Sequence, residues 1–176
     1  MSKKNKRVNL SPDFHISAPL IIPSRDDYYI PKGNGIYVKK LQSEPYKNFR
    51  ENYESQISTL VKGDSKFPTI KDVFVFFVQY FNSNKKYHEC DLDNMVKTDL
   101  DSFKKYCYQD DSQVKVLLLY KKICDERVKS NWSYASIKIL NSDKDIHIVL
   151  DAGLERVITS YQEEISKIQK LQDRED

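Results

Sequence analysis

Two short acidic stretches stand near the middle of the chain. The first reads Asp91-Leu92-Asp93-Asn94, with Lys97 one helical turn further on; the second reads Asp110-Asp111-Ser112-Gln113-Val114. Carboxylates brought together repel one another unless a cation stands between them. Hard oxygen ligands select magnesium, with manganese as a substitute, over zinc. In an extended chain Asp91 and Asp93 leave the same face. Buried strands on either side are expected to draw both acidic pairs to one edge of a sheet, so that Asp91, Asp93, Asp110 and Asp111 converge. Lys97, between Asp93 and Asp101, offsets part of that charge. A cation held there would make hydroxide from water at neutral pH and steady a leaving 3′ oxygen, which is the chemistry of phosphodiester hydrolysis. The plain alternative is a helix cap followed by a turn.

Other side chains around this cluster are candidates for phosphate or base contacts. Lys85, Lys86 and His88 precede it, Lys104 and Lys105 follow the intervening helix, and Arg25 sits in an early turn. Each competes with an ordinary solvated surface position. His88 can equally be read as a base or a loop residue. Tyr28, Tyr29 and Tyr87 are either stacking platforms or packing residues. Trp132 is read as the anchor of a turn before the last strand.

The elements that position these groups follow from periodicity. Residues 14–22 read as a strand, 23–43 as a loop or hairpin with a short strand at Ile36–Lys40, and Ser43-Glu44-Pro45 as a helix start. Tyr46, Phe49, Tyr53, Ile57 and Leu60 keep helical spacing up to Gly63. Residues 72–81 are an almost unbroken β-branched and aromatic run, the mark of a strand buried on both faces. A polar stretch follows. A second helix is expected from Asp93 or Asn94 to Lys105, its inner stripe formed by Val96, Leu100 and Phe103. Strands at 113–121 and 134–140 complete the order β, hairpin, α, β, α, β, β. That order predicts an α/β two-layer sandwich of the α+β kind, a mixed sheet with helices on one face. Residues 152–172 read as a last helix with a narrow apolar stripe, packed on its own domain or paired with a second copy.

Composition bounds the rest. The chain has 176 residues and a formal net charge of +3, enough for one domain and too little charge to demand a polyanion partner. Lys3, Lys4, Lys6 and Arg7 suggest a basic tail over residues 1–12, ahead of a domain at 13–150 and a helical extension at 151–176. The three cysteines form no Cys-x-x-Cys pair, so neither a disulfide framework nor a zinc knuckle is expected and a reduced, cytoplasmic setting fits. Neither a signal peptide nor a membrane span is expected.

The acidic text resembles the RusA family of Holliday junction resolvases, which carries Asp-x-Asp-Asn-x-x-Lys, a helix, and then Asp-Asp-x-Gln-Val. Pro23-Ser24-Arg25-Asp26-Asp27-Tyr28-Tyr29 is similar to a second turn of that family, Pro-Ser-x-Asn-x-x-Tyr, with Asp26 where the family has Asn. The resemblance covers roughly residues 14–141. It implies a bacterial or prophage-encoded homodimer that cuts four-way DNA junctions with magnesium. It also implies that Asp91, Asp93 and Asp111 are the essential carboxylates, with Asp110 beside them and Lys97 as the functional lysine. Where the family often has arginines just before the motif, this chain has Lys85-Lys86-Tyr87-His88-Glu89-Cys90, a less basic flank. A magnesium nuclease of broader branched-DNA specificity and a non-catalytic junction-binding protein are the competing readings.

Overall fold

The computed structural model describes residues 11–23, 29–31, 34, 37–39, 44–124, 130–141, 159, 161–163, 166 and 170, with the backbone alone at 29–31, 37–39 and 44–46. Arg25, Tyr28, the Ser43 cap, the basic tail at 1–10 and most of the expected last helix lie outside the described residues.

Strands β1 (Phe14–Ala18), β4 (Val73–Phe81), β5 (Val114–Ile123) and β6 (Trp132–Ile139) form one sheet in the order β1-β6-β4-β5, while β2 (Tyr29–Pro31) and β3 (Tyr37–Lys39) make a separate hairpin. β6 runs antiparallel to both β1 and β4, and β5 runs parallel to β4. Parallel neighbours cannot be joined by a tight turn, so the chain between them must cross back over the sheet. It does so through α2 (Asn84–Glu89) and α3 (Leu92–Phe103), while α1 (Glu44–Val61) enters from the hairpin side. The expected mixed sheet with helices is the observed fold.

The central strand β4 is the most apolar element, and it is buried on both faces. One face holds Val73, Val75, Phe77 and Phe81 against Tyr53 and Ile57 of α1 and Met95, Val96 and Phe103 of α3. The other holds Phe74, Phe76 and Val78 with Trp132, Tyr134 and Tyr161. Tyr161 comes from the C-terminal stretch, which is helical at 159, 161–163, 166 and 170. Its ring lies 5.6 Å from those of Trp132 and Tyr134 and 5.7 Å from that of Tyr80. Offset and edge contacts of this kind add to the area term of each buried ring.

Several boundaries move from the sequence expectation for identifiable reasons. β1 stops at Ala18 because the chain beyond it is held by a side chain instead of a strand. The Ile22 N–H donates to Gln79 Oε1 at 3.1 Å, and Gln79 Nε2 donates to the carbonyls of Leu20 and Trp132 at 3.2 and 2.9 Å. A polar residue in the middle of a buried strand is thereby satisfied. The polar stretch 82–88 is partly helical, since the Ser83 hydroxyl accepts from Lys86 N–H and starts α2. Trp132 is not in a turn but is the first, buried residue of β6. α1 ends two residues before Gly63, whose φ of +81° reverses the chain. All three cysteines are free thiols, and burial pushes Cys107 well up.

Candidate active site

α3 begins one residue after Asp91 and not at Asp93 or Asn94 as the sequence suggested. Asp91 is the N-cap, with extended backbone at φ −86° and ψ 126°, yet its carboxylate makes no capping hydrogen bond. The capping alternative therefore does not consume this group. Asp93 lies in the first turn and is exposed. Both carboxylates stand at the positive end of the helix, which favours anions there. Lys97, one turn on, donates to Asp93 Oδ2 at 3.4 Å and to Asn94 Oδ1 at 3.2 Å. The lysine is thus held over the same end of α3 as the two acids.

A neighbour the sequence did not single out fixes this end in space. Lys121 of β5 reaches across and donates to the carbonyls of Tyr87 and Cys90, both at 3.0 Å. Its ammonium also lies 4.5 Å from the centre of the Tyr87 ring, a cation–π contact. Tyr87 is therefore a half-buried packing residue, edge-on to Phe81. On the outside of α2, Lys85 and Lys86 pair with Glu89 at 3.8 and 3.4 Å, and His88 is exposed.

The second acidic pair is equally well anchored, but elsewhere. Lys105, at φ 83°, turns the chain out of α3. Asp110 then caps a single 3₁₀ turn at Asp111–Gln113 and forms a reciprocal capping box with Gln113. Gln113 Oε1 accepts from the N–H groups of Gln109 and Asp110 at 2.9 and 2.8 Å, and its Nε2 donates to the carbonyls of Thr69 and Lys71 at 3.0 and 2.8 Å. Lys104 stands 3.3 Å from Asp110 and 3.6 Å from Asp111. The Ser112 N–H, the Ser112 hydroxyl and Lys104 together hold the Asp110 carboxyl down at about 2, and the hydrogen bond to Asp110 pulls Lys104 up in turn. The groove lined by Asp13, Lys66, Thr69, Lys71 and Ile139 lies beside this loop, away from Asp91.

The expected convergence of the four aspartates does not occur within one chain. α3 has 12 residues, so at roughly 1.5 Å per residue its ends are about 18 Å apart. Asp91 and Asp93 stand at its start, beside Lys121 near the end of β5. Asp110 and Asp111 stand at its finish, before the start of β5. Among the described residues no three acidic, histidine or cysteine side chains come together as a metal site. The reason is the crossover itself. A helix joining two parallel strands returns the chain to the opposite edge of the sheet, so the residue before the helix and the residue before the next strand cannot share an edge.

Residues 23–130, more than half of the chain, match the endodeoxyribonuclease RusA family. The chain belongs to that family. It is an endodeoxyribonuclease of the Holliday junction resolvase kind. No curated protein matches the chain. The match to the RusA family spans both acidic stretches and Lys97 but leaves out β1 and β6, which nonetheless belong to the same sheet.

Gln113 belongs to the motif by sequence, and the structure shows what it does there. Its four hydrogen bonds hold the Asp110–Asp111 loop on the 69–71 segment. Gln113→Ala is expected to cost about 2 kcal/mol, since two carbonyls and two N–H groups lose their partner. It should lower DNA cleavage roughly tenfold by loosening Asp111, through kcat more than KM. Urea unfolding and single-turnover cleavage would check both parts; unchanged cleavage would show that the position of this loop is irrelevant to the reaction.

Proposed function

We propose that this RusA-family enzyme hydrolyses phosphodiester bonds at four-way DNA junctions with a divalent cation, magnesium or in its place manganese, and works as a homodimer. Asp91, Asp93 and Asp111 are the carboxylates that carry the reaction, Asp110 supports Asp111, and Lys97 meets the phosphate. Lys85, Lys86, His88, Lys105 and Arg25 are the proposed phosphate contacts around the site. Lys104 spends its charge on the acidic loop. The observation that carries this reading is the uncommitted Asp91 carboxylate beside Asp93 and Lys97 at the helix N-terminus. That end offers hard oxygen donors, a cation for a non-bridging phosphate oxygen, and a helix dipole of the right sign.

Among the described residues, the carboxylates of one chain do not gather around a single point, because Asp91 and Asp93 stand at one end of α3 and Asp110 and Asp111 at the other. The chain's own residues do the positioning. Lys121 fixes the backbone just before Asp91, Asn94 and Asp93 aim Lys97, and Gln113 and Lys104 set Asp111. A junction has approximate two-fold symmetry, so two linked sites can nick opposed strands in one binding event.

The test is cleavage of synthetic four-way, flap and linear duplexes, with magnesium, manganese or chelator. Junction cutting that needs the cation is expected. Equal cutting of linear duplex would leave a nuclease of broader specificity. Binding without cutting of any substrate would leave a junction-binding protein.

A further inference from the structure

A groove at the end of the sheet where β4 starts and β6 finishes is lined by Asp13, Lys66, Thr69, Ile70, Lys71 and Asn141. None of the groups proposed for the reaction lines it. It nonetheless keeps a fixed place beside them, because its 69–71 wall is tied to the Asp110–Asp111 loop. Gln113 Nε2 donates to the carbonyls of Thr69 and Lys71 at 3.0 and 2.8 Å.

The charges of the groove are unevenly spent. Asp13 is neutralised by Lys138 at 2.9 Å, and its carboxylate also accepts from the Ile139 N–H at 3.0 Å. Lys66 stands between two acids, 3.5 Å from Asp13 and 3.6 Å from Asp64. Lys71 differs. It is exposed, and among the described residues it pairs with no acid; its ammonium donates to the neutral Asn141 Oδ1 at 2.8 Å. Lys66, Lys71 and Lys138 against Asp13 and Asp64 leave a surplus of positive charge, and it falls at Lys71.

Beside that lysine stands Ile70, 78% exposed. A single exposed isoleucine is ordinary on any surface. This one is held out by a fixed backbone. The Thr69 N–H donates to the Cys107 carbonyl at 2.9 Å, and the Lys71 N–H donates to Thr69 Oγ1 at 3.1 Å. A β-branched side chain has little rotamer freedom of its own. An apolar surface already ordered loses little entropy when it meets a ligand. The wall thus offers a cation with charge to give and a rigid apolar side chain next to it. A small anion would use Lys71 and have no use for Ile70. An apolar peptide would cover Ile70 and strip water from Lys71 without a partner. A nucleic acid strand answers both, with phosphates for the lysine and a sugar or base face for the isoleucine.

We propose that this groove seats the DNA strand that leads to Asp111, with one phosphate on Lys71, a more weakly held one on Lys66, and a sugar or base face against Ile70. That the strand is DNA rests on the function proposed above; that a polyanion with apolar faces belongs here rests on the groove itself. The seat lies at the opposite end of α3 from Lys85, Lys86 and His88, so it lengthens the path of the DNA across the subunit.

The test is equilibrium binding of a synthetic four-way junction in chelator, over a range of potassium chloride concentrations. Lys71→Gln should weaken binding about tenfold at low salt and lower the slope of log affinity against log salt by about 1, since one phosphate contact is lost. Lys71→Arg should restore the slope. Ile70→Ser should weaken binding several-fold with the slope unchanged, because no counterion is released at an apolar contact. Both side chains are exposed, so far-UV circular dichroism and Tm should stay at the wild-type values. Junctions carrying one neutral methylphosphonate near the cleavage point locate the contact: at one position the substitution should weaken the wild type and leave Lys71→Gln unaffected. An unchanged slope and affinity for Lys71→Gln, or methylphosphonates that weaken both chains equally at every position, would overturn the seat. So would an Ile70→Ser chain that sediments at a different mass from wild type, since protein and not DNA would then cover this face. A wild type that binds and cuts junctions while Lys71→Gln behaves like it fails the groove alone. A wild type that binds with the expected slopes and cuts nothing fails the proposed reaction and leaves the groove standing.

Discussion

Asp93→Asn should lower junction cleavage by about 10²-fold or more while leaving junction binding intact or tighter. The substitution is nearly isosteric and removes one negative charge from an exposed position, so the fold has no reason to change. Asp93 contributes no core contact; its partner is Lys97 at 3.4 Å. An exposed pair of that kind stabilises little. The carboxylate matters instead where a phosphodiester arrives, because it is one of two exposed acids at the start of α3, held only by Lys97. In the ground state it repels the incoming phosphate, which is why removing its charge should not weaken binding. A divalent cation held there, as proposed above, would help offset the charge that develops on the phosphoryl oxygens, and an asparagine would offer it only a neutral oxygen. A gel-shift assay beside single-turnover kinetics separates the two effects. Normal cleavage by Asp93→Asn would remove this end of α3 from the reaction. Equal losses of binding and cleavage would reduce Asp93 to a positioning group for Lys97.

The contrast between what the sequence shows and what it hides follows from the kind of constraint. β4 was legible because an apolar run of that length has no other stable place than the middle of a sheet. α3 was legible as a helix, and the motif residues stand where its spacing put them. Its inward face was less so. Val96 and Phe103 point inward as expected, but Leu100 is half-buried, and the inner positions include Met95, Asp99 and Ser102. Polar residues on the buried face blur the stripe from which rotation is read. The short α2 was hidden because one hydroxyl, that of Ser83, decides whether a polar stretch starts a helix. Lys121 was hidden because the carbonyls it holds lie 31 and 34 residues earlier in the chain. The convergence of the four aspartates was expected from their proximity in sequence. Topology overrides that: once β4 and β5 are parallel, the crossover fixes the acids at opposite edges of the sheet. A motif can therefore be complete in one chain by sequence and divided in space.

Asp99→Asn should make the protein more stable at about pH 8 and change little near pH 4, raising Tm by several degrees at the higher pH alone. Asp99 is fully buried on the inner face of α3, where its carboxylate faces the Tyr53 hydroxyl without closing a full hydrogen bond. Burial pushes its carboxyl from an ordinary value of 3.8 up to about 8, and the nearby Tyr53 hydroxyl only partly opposes this. Among the described residues, no cation is among the groups that act on Asp99. Tyr53 and Cys107, beside it, are themselves held neutral by burial. The direction of the pH effect follows from proton counting. Below the unfolded value both states carry the proton, and Asp99 costs nothing by ionisation. Between the unfolded and folded values the unfolded chain has released the proton and the native chain retains it, so stability falls as pH rises through that window. At about 1.4 kcal/mol for each tenfold change in proton affinity, the cost at pH 8 reaches several kcal/mol. Asparagine has nearly the same shape and no charge in either state, so it removes the slope. Thermal unfolding of both chains across that range is the decisive comparison. A constant difference at every pH would mean that Asp99 is ionised and satisfied in the native state. A difference that opens with rising pH would show that this helix carries a neutral acid in its core, below the face that carries Asp93 and Lys97.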